Sequence, residues 1–364
     1  MATNARARVA VIPGDDAASE AMAATLLVLE TMDLPIDWHV LPDGATLASL
    51  ERIDRERLVR EAIDQADTVL FGATSGTTGA VLYLRWGKDT YANVRPIRWR
   101  TGVPSPLRQP EGIDYVLVRE NLEDVYVGVE GDLDDLRSSR LDLRPFGGLL
   151  NVMPRWTHGD GKFAVKVVGR ANTERVARLA ATLAQERKSL GHPGKVTCAT
   201  KRNVLRQTDG LFADSVAAVV TAEFPDLAYE EYLADDFARR LVASPHQFDV
   251  VVLPNLLGDI LSDEGAATVG GLGMVPSGCY GDEFAYFEPV HGTAPDIAGR
   301  HVINPTATLL SAAMLLEHVG LAEDARRLER AIDGTLAAGD AVTPDLGGNA
   351  TTEGFAKAVQ SRLE

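Results

Sequence analysis

Cysteine is almost absent from this chain of 364 residues, which contains only Cys198 and Cys279. The two are far apart and form no CxxC pair, so neither a zinc site nor a disulfide framework is expected, and a reducing compartment fits. No apolar run approaches the roughly 18 residues that would span a bilayer, and the N-terminus has no apolar segment of signal-peptide length. The sequence therefore predicts a cytoplasmic protein that does not enter a membrane.

Basic residues are also scarce, because 36 of them stand against 52 acidic residues and the formal net charge is −16. This excess of negative charge argues against nucleic acid or an anionic membrane as a partner. A small anionic substrate remains compatible with this net charge, since a local cluster of arginines can outweigh the negative electrostatic field of the whole protein. Only seven of the basic residues are lysines. Lys201, at the end of a predicted strand, is therefore a candidate titratable amine, with an ordinary surface lysine as the alternative.

Short apolar segments alternate with helical patterns along the chain. Strands are predicted at 9–15, 67–73, 114–121, 194–200 and 247–255, and helices after the first strand and at 171–188 and 306–320. This alternation is typical of an α/β protein with a substantial parallel sheet, and the length favours two domains. The segment from about 130 to 165 shows strands and turns without a helical period, which suggests an antiparallel arm.

The turn after the first strand reads IPGDDAAS (12–19) and lacks the GxGxxG fingerprint of a Rossmann dinucleotide site. Arginines give a stronger indication of chemistry. Arg85 and Arg95 lie in 84–100, and Arg119 ends a predicted strand. Guanidinium groups bind carboxylates with two parallel hydrogen bonds, so three of them in one cleft would hold a di- or tricarboxylate. Tyr126 follows as a candidate general acid, although a lone tyrosine is more often a core residue.

NLLGDILSDEGA (255–266) places Asp259 and Asp263 on one face of a predicted helix, where like charges repel each other. The predicted strand before this helix ends at the carboxyl edge of the sheet, where ligands of α/β proteins usually bind. Such carboxylates suit Mg²⁺ or Mn²⁺. A helix start favoured by the macrodipole is the alternative; it accounts for Asp259 better than for Asp263. Asp235 is a third candidate acid, although its local sequence resembles a surface helix.

The loop 287–305 contains His291 and Asp296 and precedes an apolar helix. Such a loop could enclose an adenine and its ribose. Asp296 would accept a hydrogen bond from the 2′-hydroxyl and repel a 2′-phosphate, which favours NAD over NADP.

Together these segments resemble the β-decarboxylating dehydrogenases that act on isocitrate, 3-isopropylmalate, homoisocitrate, tartrate and D-malate. RENLEDVYVGVEG, NLLGDILSDE, EPVHGTAPDIAG and INPTATLLSAAMLL carry the resemblance, which spans nearly the whole chain. It implies a two-domain α/β fold that is not a GxGxxG Rossmann fold, with a clasp-like arm at about 130–165. The expected cofactor-binding domain comprises 1–107 and 265–364, and the substrate, metal and dimerisation domain comprises 108–264.

The resemblance also implies the cofactors and a role for each candidate residue. NAD and Mg²⁺ or Mn²⁺ are the expected cofactors, and the expected partner is a second copy of the chain, in a homodimer whose active sites are shared. The arginines would hold the malate-like part of the substrate, Tyr126 would protonate the enolate carbon, and Lys201 of the partner subunit would transfer the proton of the 2-hydroxyl. Asp259 and Asp263, with the partner's Asp235, would bind the metal. The expected cofactor contacts are Thr74, Asn203, His291, Gly292, Asp296 and Asn304.

The chain departs from the family at two places. IPGDDAASE replaces the usual IPGDGIGPE, which puts some cofactor contacts in doubt and suggests a catalytically silent regulatory subunit of an isocitrate dehydrogenase as an alternative function. At the substrate-selecting positions, Gly79 and Val81 replace the serine and asparagine of isocitrate enzymes, and Val81 and Leu82 stand where isopropylmalate enzymes carry two leucines. Four residues could still bind a polar or anionic group, even a phosphonate: Thr77, Thr78, Arg98 and Arg100. These mixed signals suggest a specialised enzyme for a 3-substituted malate.

Overall fold

The computed structural model describes residues 6–76, 78–139 and 160–363. The strands are β1 (Ala7–Ile12), β2 (Ile36–Val40), β3 (Thr68–Phe71), β4 (Ala92–Arg98), β5 (Asp114–Glu120), β6 (Glu130–Asp132), β7 (Lys162–Ala164), β8 (Lys195–Thr200), β9 (Ala228–Leu233), β10 (Val250–Leu253), β11 (Pro276–Tyr280) and β12 (Ala285–Pro289). The α-helices are α1 (Asp16–Glu30), α2 (Gly44–Ala48), α3 (Arg52–Gln65), α4 (Ala80–Leu82), α5 (Leu133–Ser138), α6 (Arg170–Ser189), α7 (Thr208–Glu223), α8 (Ala234–Ala243), α9 (Asn255–Thr268), α10 (Thr306–His318), α11 (Ala322–Ala338) and α12 (Thr352–Gln360). A π-helix occupies Tyr83–Gly87, and 3₁₀ turns occupy Val125–Val127, Pro245–Gln247, Leu272–Met274, Pro295–Ile297 and Pro344–Leu346.

Ten of these strands form one mixed sheet in the order β2-β1-β3-β12-β11-β4-β5-β10-β8-β9. The pairs in both outer parts are parallel, as the alternation of strands and helices predicted. The three central pairs, β12–β11, β11–β4 and β4–β5, are antiparallel. All sheet strands from 1–107 and 265–364 lie on one side of the β4–β5 boundary, and those from 108–264 lie on the other.

Helices cover both faces of this sheet, so the predicted α/β fold is confirmed. On one face, α1, α10, α11 and α12 pack against the β1 half of the sheet, and α6 and α7 pack against the β5 half. On the other face, α3 and α4 cover the β1 half, whereas α8 and α9 cover the β5 half. The candidate site lies on this second face, between α4 and α9.

Strand alternation directs the arginines to that face. Ile97 on β4 and Leu117 on β5 belong to the core under α8 and α9, whereas Val94 and Val118 pack under α6 and α7. Because successive strand residues point to opposite faces, Arg95 and Arg119 share the α9 face with Ile97 and Leu117.

The segment predicted to form an antiparallel arm, about 130–165, is described only in part. β6 and β7 pair antiparallel at its base, as expected, but α5 lies between them in the chain. The prediction of a segment without helix was therefore wrong at Leu133–Ser138. This helix has only six residues, too few for a periodic pattern to be recognised. Residues 140–159 of the predicted arm lie outside the described residues. Elsewhere, no helix of the described chain is long and apolar enough to cross a membrane.

Candidate active site

Arg95 and Arg119 lie side by side on neighbouring strands, and both contact α9. Arg119 is 1% exposed, and its Nε donates to Oδ1 of Asn255 at 2.9 Å. Arg95 is 5% exposed, and its Nε donates to Oδ1 of Asn93 at 3.2 Å. Burial first, and then the neighbouring Arg95, lowers the pKa of Arg119 to about 10. Two buried guanidinium groups with their planes fixed by amide oxygens form a preorganised anion site.

Asp259 is the acceptor that these groups share. Its Oδ1 accepts a hydrogen bond from Nη1 of Arg119 and lies 3.4 Å from Nη1 of Arg95, and its Oδ2 accepts the hydroxyl of Tyr126 at 2.6 Å. Burial alone would raise the pKa of Asp259, but Arg119, the Tyr126 hydroxyl and Arg95 outweigh it and lower that pKa. Asp259 is therefore ionised and ties together the residues expected to contact substrate.

Asp263 lies one helical turn further along α9 and has a different environment. Its nearest cation is Arg95, at 3.9 Å. Burial raises the pKa of Asp263, and the Asp259 carboxylate adds to this effect while Arg95 opposes it. An additional cation at this edge of α9 would relieve the repulsion. Two carboxylates on one helical face, both partly open to solvent, supply the hard oxygen donors that Mg²⁺ and Mn²⁺ prefer, so the residues fit such an ion.

Asp235 and Lys201 form a separate group within the chain. Nζ of Lys201 donates to Oδ1 of Asp235, at the start of α8, and this contact lowers the pKa of Asp235. Across residues 6–76, 78–139 and 160–363, no three acidic, histidine or cysteine side chains come close enough to hold a metal. Asp235 therefore does not join Asp259 and Asp263 within one chain.

Arg85 is placed by the π-helix at Tyr83–Gly87, a conformation often found at functional sites. Its Cζ lies 5.7 Å from the centre of the Tyr126 ring, and Cζ of Arg119 lies 4.8 Å from the same point. The Tyr126 ring is thus in contact distance of two of the predicted substrate arginines. Burial, and then the hydrogen bond to Asp259, raises the pKa of Tyr126, so its hydroxyl keeps its proton at neutral pH.

Two buried donors of this cluster have no hydrogen-bond partner among the described residues: Nη2 of Arg119 and Nε of Arg85. Leaving a buried charged donor unsatisfied is costly, and such groups in a native protein call for a ligand or water. Their position beside Tyr126 fits an anionic ligand at this point. Glu288 on β12 faces the same arginines, and burial raises its pKa although all three arginines oppose that shift.

The segment predicted to select the substrate leads into α4. Gly79 has a φ of +68°, which favours glycine, and the hydroxyl of Thr78 accepts the amide of Ala80 at 3.2 Å. Val81 is half-buried against the core under α3 and α4, and Leu82 is 64% exposed, so this segment has an apolar edge that precedes Arg85 in the chain. Thr77 lies outside the described residues.

The suggestion that Arg98 and Arg100 contact substrate was wrong. Arg98 extends to the opposite face of β4, 3.9 Å from Asp114, and Arg100 pairs with Asp333 on α11. Arg95 and Arg98 are an odd number of strand positions apart, and their side chains therefore point to opposite faces of the sheet.

The residues predicted to contact the cofactor are spread over three segments. His291 is buried, its Nε2 has no partner among the described residues, and burial lowers its pKa, so the ring is neutral. Asn304 is buried and donates to Oδ2 of Asp345 at 3.0 Å. The 3₁₀ turn after His291 leaves Asp296 and Gly292 exposed. Oγ1 of Thr74 is buried and unpaired within the described chain, whereas Asn203 is exposed in a turn two residues after Lys201.

The altered first turn keeps the backbone that a glycine would favour. Asp16 has a φ of +51°, in the left-handed region that strains a residue with a side chain. Asp15 anchors the turn, because its Oδ2 accepts the amide of Ser75 at 2.7 Å and the Ser75 hydroxyl at 2.9 Å. The amide of Ala18 donates to the carbonyl of Thr293 at 3.3 Å, which joins the turn to the His291 loop. The departure therefore places a carboxylate side chain at a position with positive φ.

Sequence reasoning missed the residues that hold this site together. Asn255 contacts Arg119 and donates to the carbonyl of Glu123 at 3.2 Å, and Asp124 accepts the amide of Leu256 at 3.2 Å. Ser262 accepts a hydrogen bond from Arg95. A signal was present for Ser262, which lies between two candidate acids on the same helix, but none identified the long-range partners of Asn255 and Asp124.

The comparisons with known proteins agree with this arrangement. The family model described as isocitrate/isopropylmalate dehydrogenase matches residues 8–359. The chain belongs to this family. It is an enzyme, an oxidatively decarboxylating hydroxyacid dehydrogenase. Family members use a divalent metal and NAD(P), act on small hydroxy acids and commonly form dimers.

Individual relatives cover almost the entire chain. It is 42% identical to the 3-isopropylmalate/3-methylmalate dehydrogenase of Methanocaldococcus jannaschii, over 98% of both chains. It is 40% identical to the isocitrate/homoisocitrate dehydrogenase of Thermus thermophilus, again over 98% of both chains. The crystal structure of isocitrate dehydrogenase from Methylococcus capsulatus superposes with a TM-score of 0.82 at 30% identity, covering 98% of this chain and 99% of the other.

Proposed function

We propose that the protein uses NAD⁺ and Mg²⁺ or Mn²⁺ to decarboxylate oxidatively a (2R)-malate that carries a substituent at carbon 3. The cluster of Arg85, Arg95, Arg119 and Tyr126 around Asp259 is the observation that carries this proposal. In it, the three guanidinium groups bind the carboxylates of the malate-like part. The unpaired Nη2 of Arg119 and Nε of Arg85 supply donors for this purpose.

Proton transfers are assigned to two side chains. Lys201 of the partner subunit would accept the proton of the substrate's 2-hydroxyl, and bound NAD⁺ would supply the acceptor for the hydride from carbon 2. Tyr126 then donates its proton to carbon 3 after CO₂ has left, and its raised pKa keeps that proton available. Asp259 and Asp263, with the partner's Asp235, hold the metal, which when bound supplies electrophilic stabilisation of negative charge on the substrate oxygens.

A homodimer with shared active sites is part of this proposal. Lys201 and Asp235 pair with each other, apart from the Asp259 cluster. Apolar side chains beside both groups are exposed in the single chain: Ile260 is 57% exposed on α9, and Val204 is 47% exposed near Lys201. A second copy that covers these side chains would bring the two groups together.

The apolar edge of Val81 and Leu82 supports an apolar substituent on the substrate, rather than the carboxylate of isocitrate or a phosphonate. Asp296 supports NAD over NADP, because its exposed carboxylate suits a ribose 2′-hydroxyl and repels a 2′-phosphate. We also propose that 1–107 with 265–364 and 108–264 are separate domains, with the site in the cleft between them. The two buried, unpaired cysteines suit a reducing compartment such as the cytoplasm.

A screen of NAD⁺ reduction tests the proposal. Isocitrate, homoisocitrate, 3-isopropylmalate, 3-methylmalate, D-malate, tartrate and a 3-phosphonomethyl malate are each assayed with and without Mn²⁺. We expect the highest kcat/KM with an apolar substituent, and a lower value with NADP⁺. No activity on any of these acids, with the dimer intact, would refute the proposal.

A silent regulatory subunit was the alternative raised by the altered first turn, and it does not fit the assignment of this chain as a dehydrogenase. Retention of Tyr126, Lys201 and the arginine cluster speaks against it. Calorimetric titration with Mn²⁺ separates the two, because an active enzyme binds the ion and loses that binding in Asp259→Asn.

A further inference from the structure

Lys166 forms a buried ion-pair cluster away from the substrate arginines. Its Nζ lies 2.8 Å from Oδ1 of Asp209 and 3.1 Å from Oδ2 of Asp124. Asp209 is fully buried, Asp124 is 1% exposed, and the lysine side chain is 15% exposed. One ammonium group therefore lies between two buried carboxylates and offsets part of their charge, and neither carboxylate can be left without it at low cost.

Asp124 connects Lys166 to the residues of its own chain's active site. Its Oδ1 accepts the amide of Val125 at 2.8 Å, next to Tyr126, and its Oδ2 accepts the amide of Leu256 at 3.2 Å. Leu256 lies in the first turn of α9, which carries Asp259. Asp124 also holds a φ of +64°, a strained value that its contacts must maintain. Its position therefore controls both the Tyr126 turn and the start of α9.

Asp209 connects the same lysine to the other proton-transfer residue. Its Oδ2 accepts the backbone amide of Lys201 at 2.7 Å. The side chain of Lys201 in turn pairs with Asp235. A shift of Asp209 would therefore move the backbone from which the Lys201 ammonium group extends.

These two connections serve different active sites if the proposed shared-site dimer is correct, and the inference rests on that proposal. Tyr126 and Asp259 work in their own subunit's site, whereas Lys201 and Asp235 work in the partner's. We propose that Lys166 is a positioning residue that couples the two active sites of the dimer, because it holds the Tyr126 turn of one site and the Lys201 segment of the other. It contacts neither substrate nor cofactor.

Mixed dimers test this coupling. A chain with Lys201→Met is paired with a differently tagged chain with Tyr126→Phe. The resulting dimer has one intact site, built from Tyr126 of the first chain and Lys201 of the second. Lys166→Met is then placed in either chain in turn. We expect kcat of the intact site to fall about 10- to 100-fold in both placements, since small misplacements of catalytic groups cost this much. The KM for NAD⁺ should change less than about twofold, and Lys166→Arg should restore most of the rate.

Asp209→Asn is the second variant, in case Lys166→Met does not fold. The amide oxygen can still accept the Lys201 amide, and Lys166 keeps Asp124 as its partner. The ion pair between Lys166 and residue 209 is lost, however, so the Lys201 segment is held less firmly. Asp209→Asn should lower kcat only when placed in the chain that donates Lys201. An unchanged kcat in either placement of Lys166→Met, or an equal effect of Asp209→Asn in both chains, would overturn the coupling. An inactive reference dimer, without any change at Lys166 or Asp209, would instead refute the shared site itself.

Discussion

Gly258 is the point where α9 comes closest to the sheet, and replacing it by alanine should damage both stability and catalysis. A methyl group at this position would lie 2.7 Å from Cγ and 2.8 Å from Cβ of Arg119. Carbon atoms pack best at about 3.5–4.0 Å, so α9 or Arg119 must move by about 1 Å. Arg119 has little freedom to do so, because it is 1% exposed and its stem belongs to a central strand.

Two opposing effects decide the sign of the stability change. Glycine-to-alanine substitution inside a helix gains about 1 kcal/mol from backbone entropy and helix propensity. Overpacking of a rigid core costs about 1–3 kcal/mol. With both neighbours fixed, the upper part of that range applies, and we expect Gly258→Ala to lose about 1–2 kcal/mol net. Since Asp259 is the next residue, kcat/KM should also fall by about 100-fold.

Gly334→Ala provides the matched control. Gly334 is exposed within α11, and its added methyl group would lie 3.4 Å from Cδ of Arg362, an ordinary contact with a flexible side chain. This variant should gain up to about 1 kcal/mol and keep wild-type kinetics. Urea unfolding of both variants at one protein concentration, with steady-state kinetics, measures the difference. A Gly258→Ala protein as stable and as active as the wild type would show that α9 is not held against Arg119 as described.

Three further outcomes follow from the site. Tyr126→Phe should lower kcat about 10²- to 10⁴-fold in steady-state assays at saturating substrate, and a normal rate would exclude Tyr126 as the acid. Asp263→Asn should weaken Mn²⁺ binding at least about tenfold by calorimetry, and unchanged affinity would remove it from the metal site. Burial raises the pKa of Glu120 to about 7 from 4.5, so the folded state holds its proton more tightly. The stability due to that proton is present below pH 4.5 and lost as the pH rises through 7, which amounts to about 3 kcal/mol. Urea unfolding of Glu120→Gln should lack this slope, and an identical pH profile would contradict the assignment.

Sequence patterns predicted the residue types of the site and the fold class, because both depend on local order. The alternation of strands and helices indicates an α/β sheet, and ordered motifs such as RENLEDVY carry the family resemblance. Strand direction cannot be predicted in this way, since the hydrophobic periodicity is the same for parallel and antiparallel neighbours. The antiparallel centre at β11, β4 and β5 therefore could not be predicted, although it is this centre that brings Arg95 beside Arg119.

The electrostatic partners within the site also depend on the fold. Asp259 was predicted only as a metal ligand, yet it accepts hydrogen bonds from Arg119 and Tyr126, whose sequence positions are more than 130 residues away. Arg98 was a candidate for substrate binding, but the alternation of side chains along β4 places it on the face of the sheet opposite Arg95. Contacts of this kind are set by how strands and helices pack, which a single sequence does not encode locally.

The two aspartates on one face of α9 are compensated in two different ways. Asp259 is neutralised by Arg119 and Arg95, whereas Asp263 lies 3.9 Å from Arg95 and has a raised pKa. The three arginines thus face the carboxyl groups of Asp259, Asp263 and Glu288, and the ionised Asp259 offsets part of the positive charge that would attract an anionic substrate. A divalent cation on the aspartates would weaken their hold on the guanidinium groups and leave those groups free for the substrate carboxylates. By linkage, the substrate must then strengthen metal binding by the same factor. The sharing of Asp259 between the arginines and the proposed metal is therefore what would make the two binding events depend on each other.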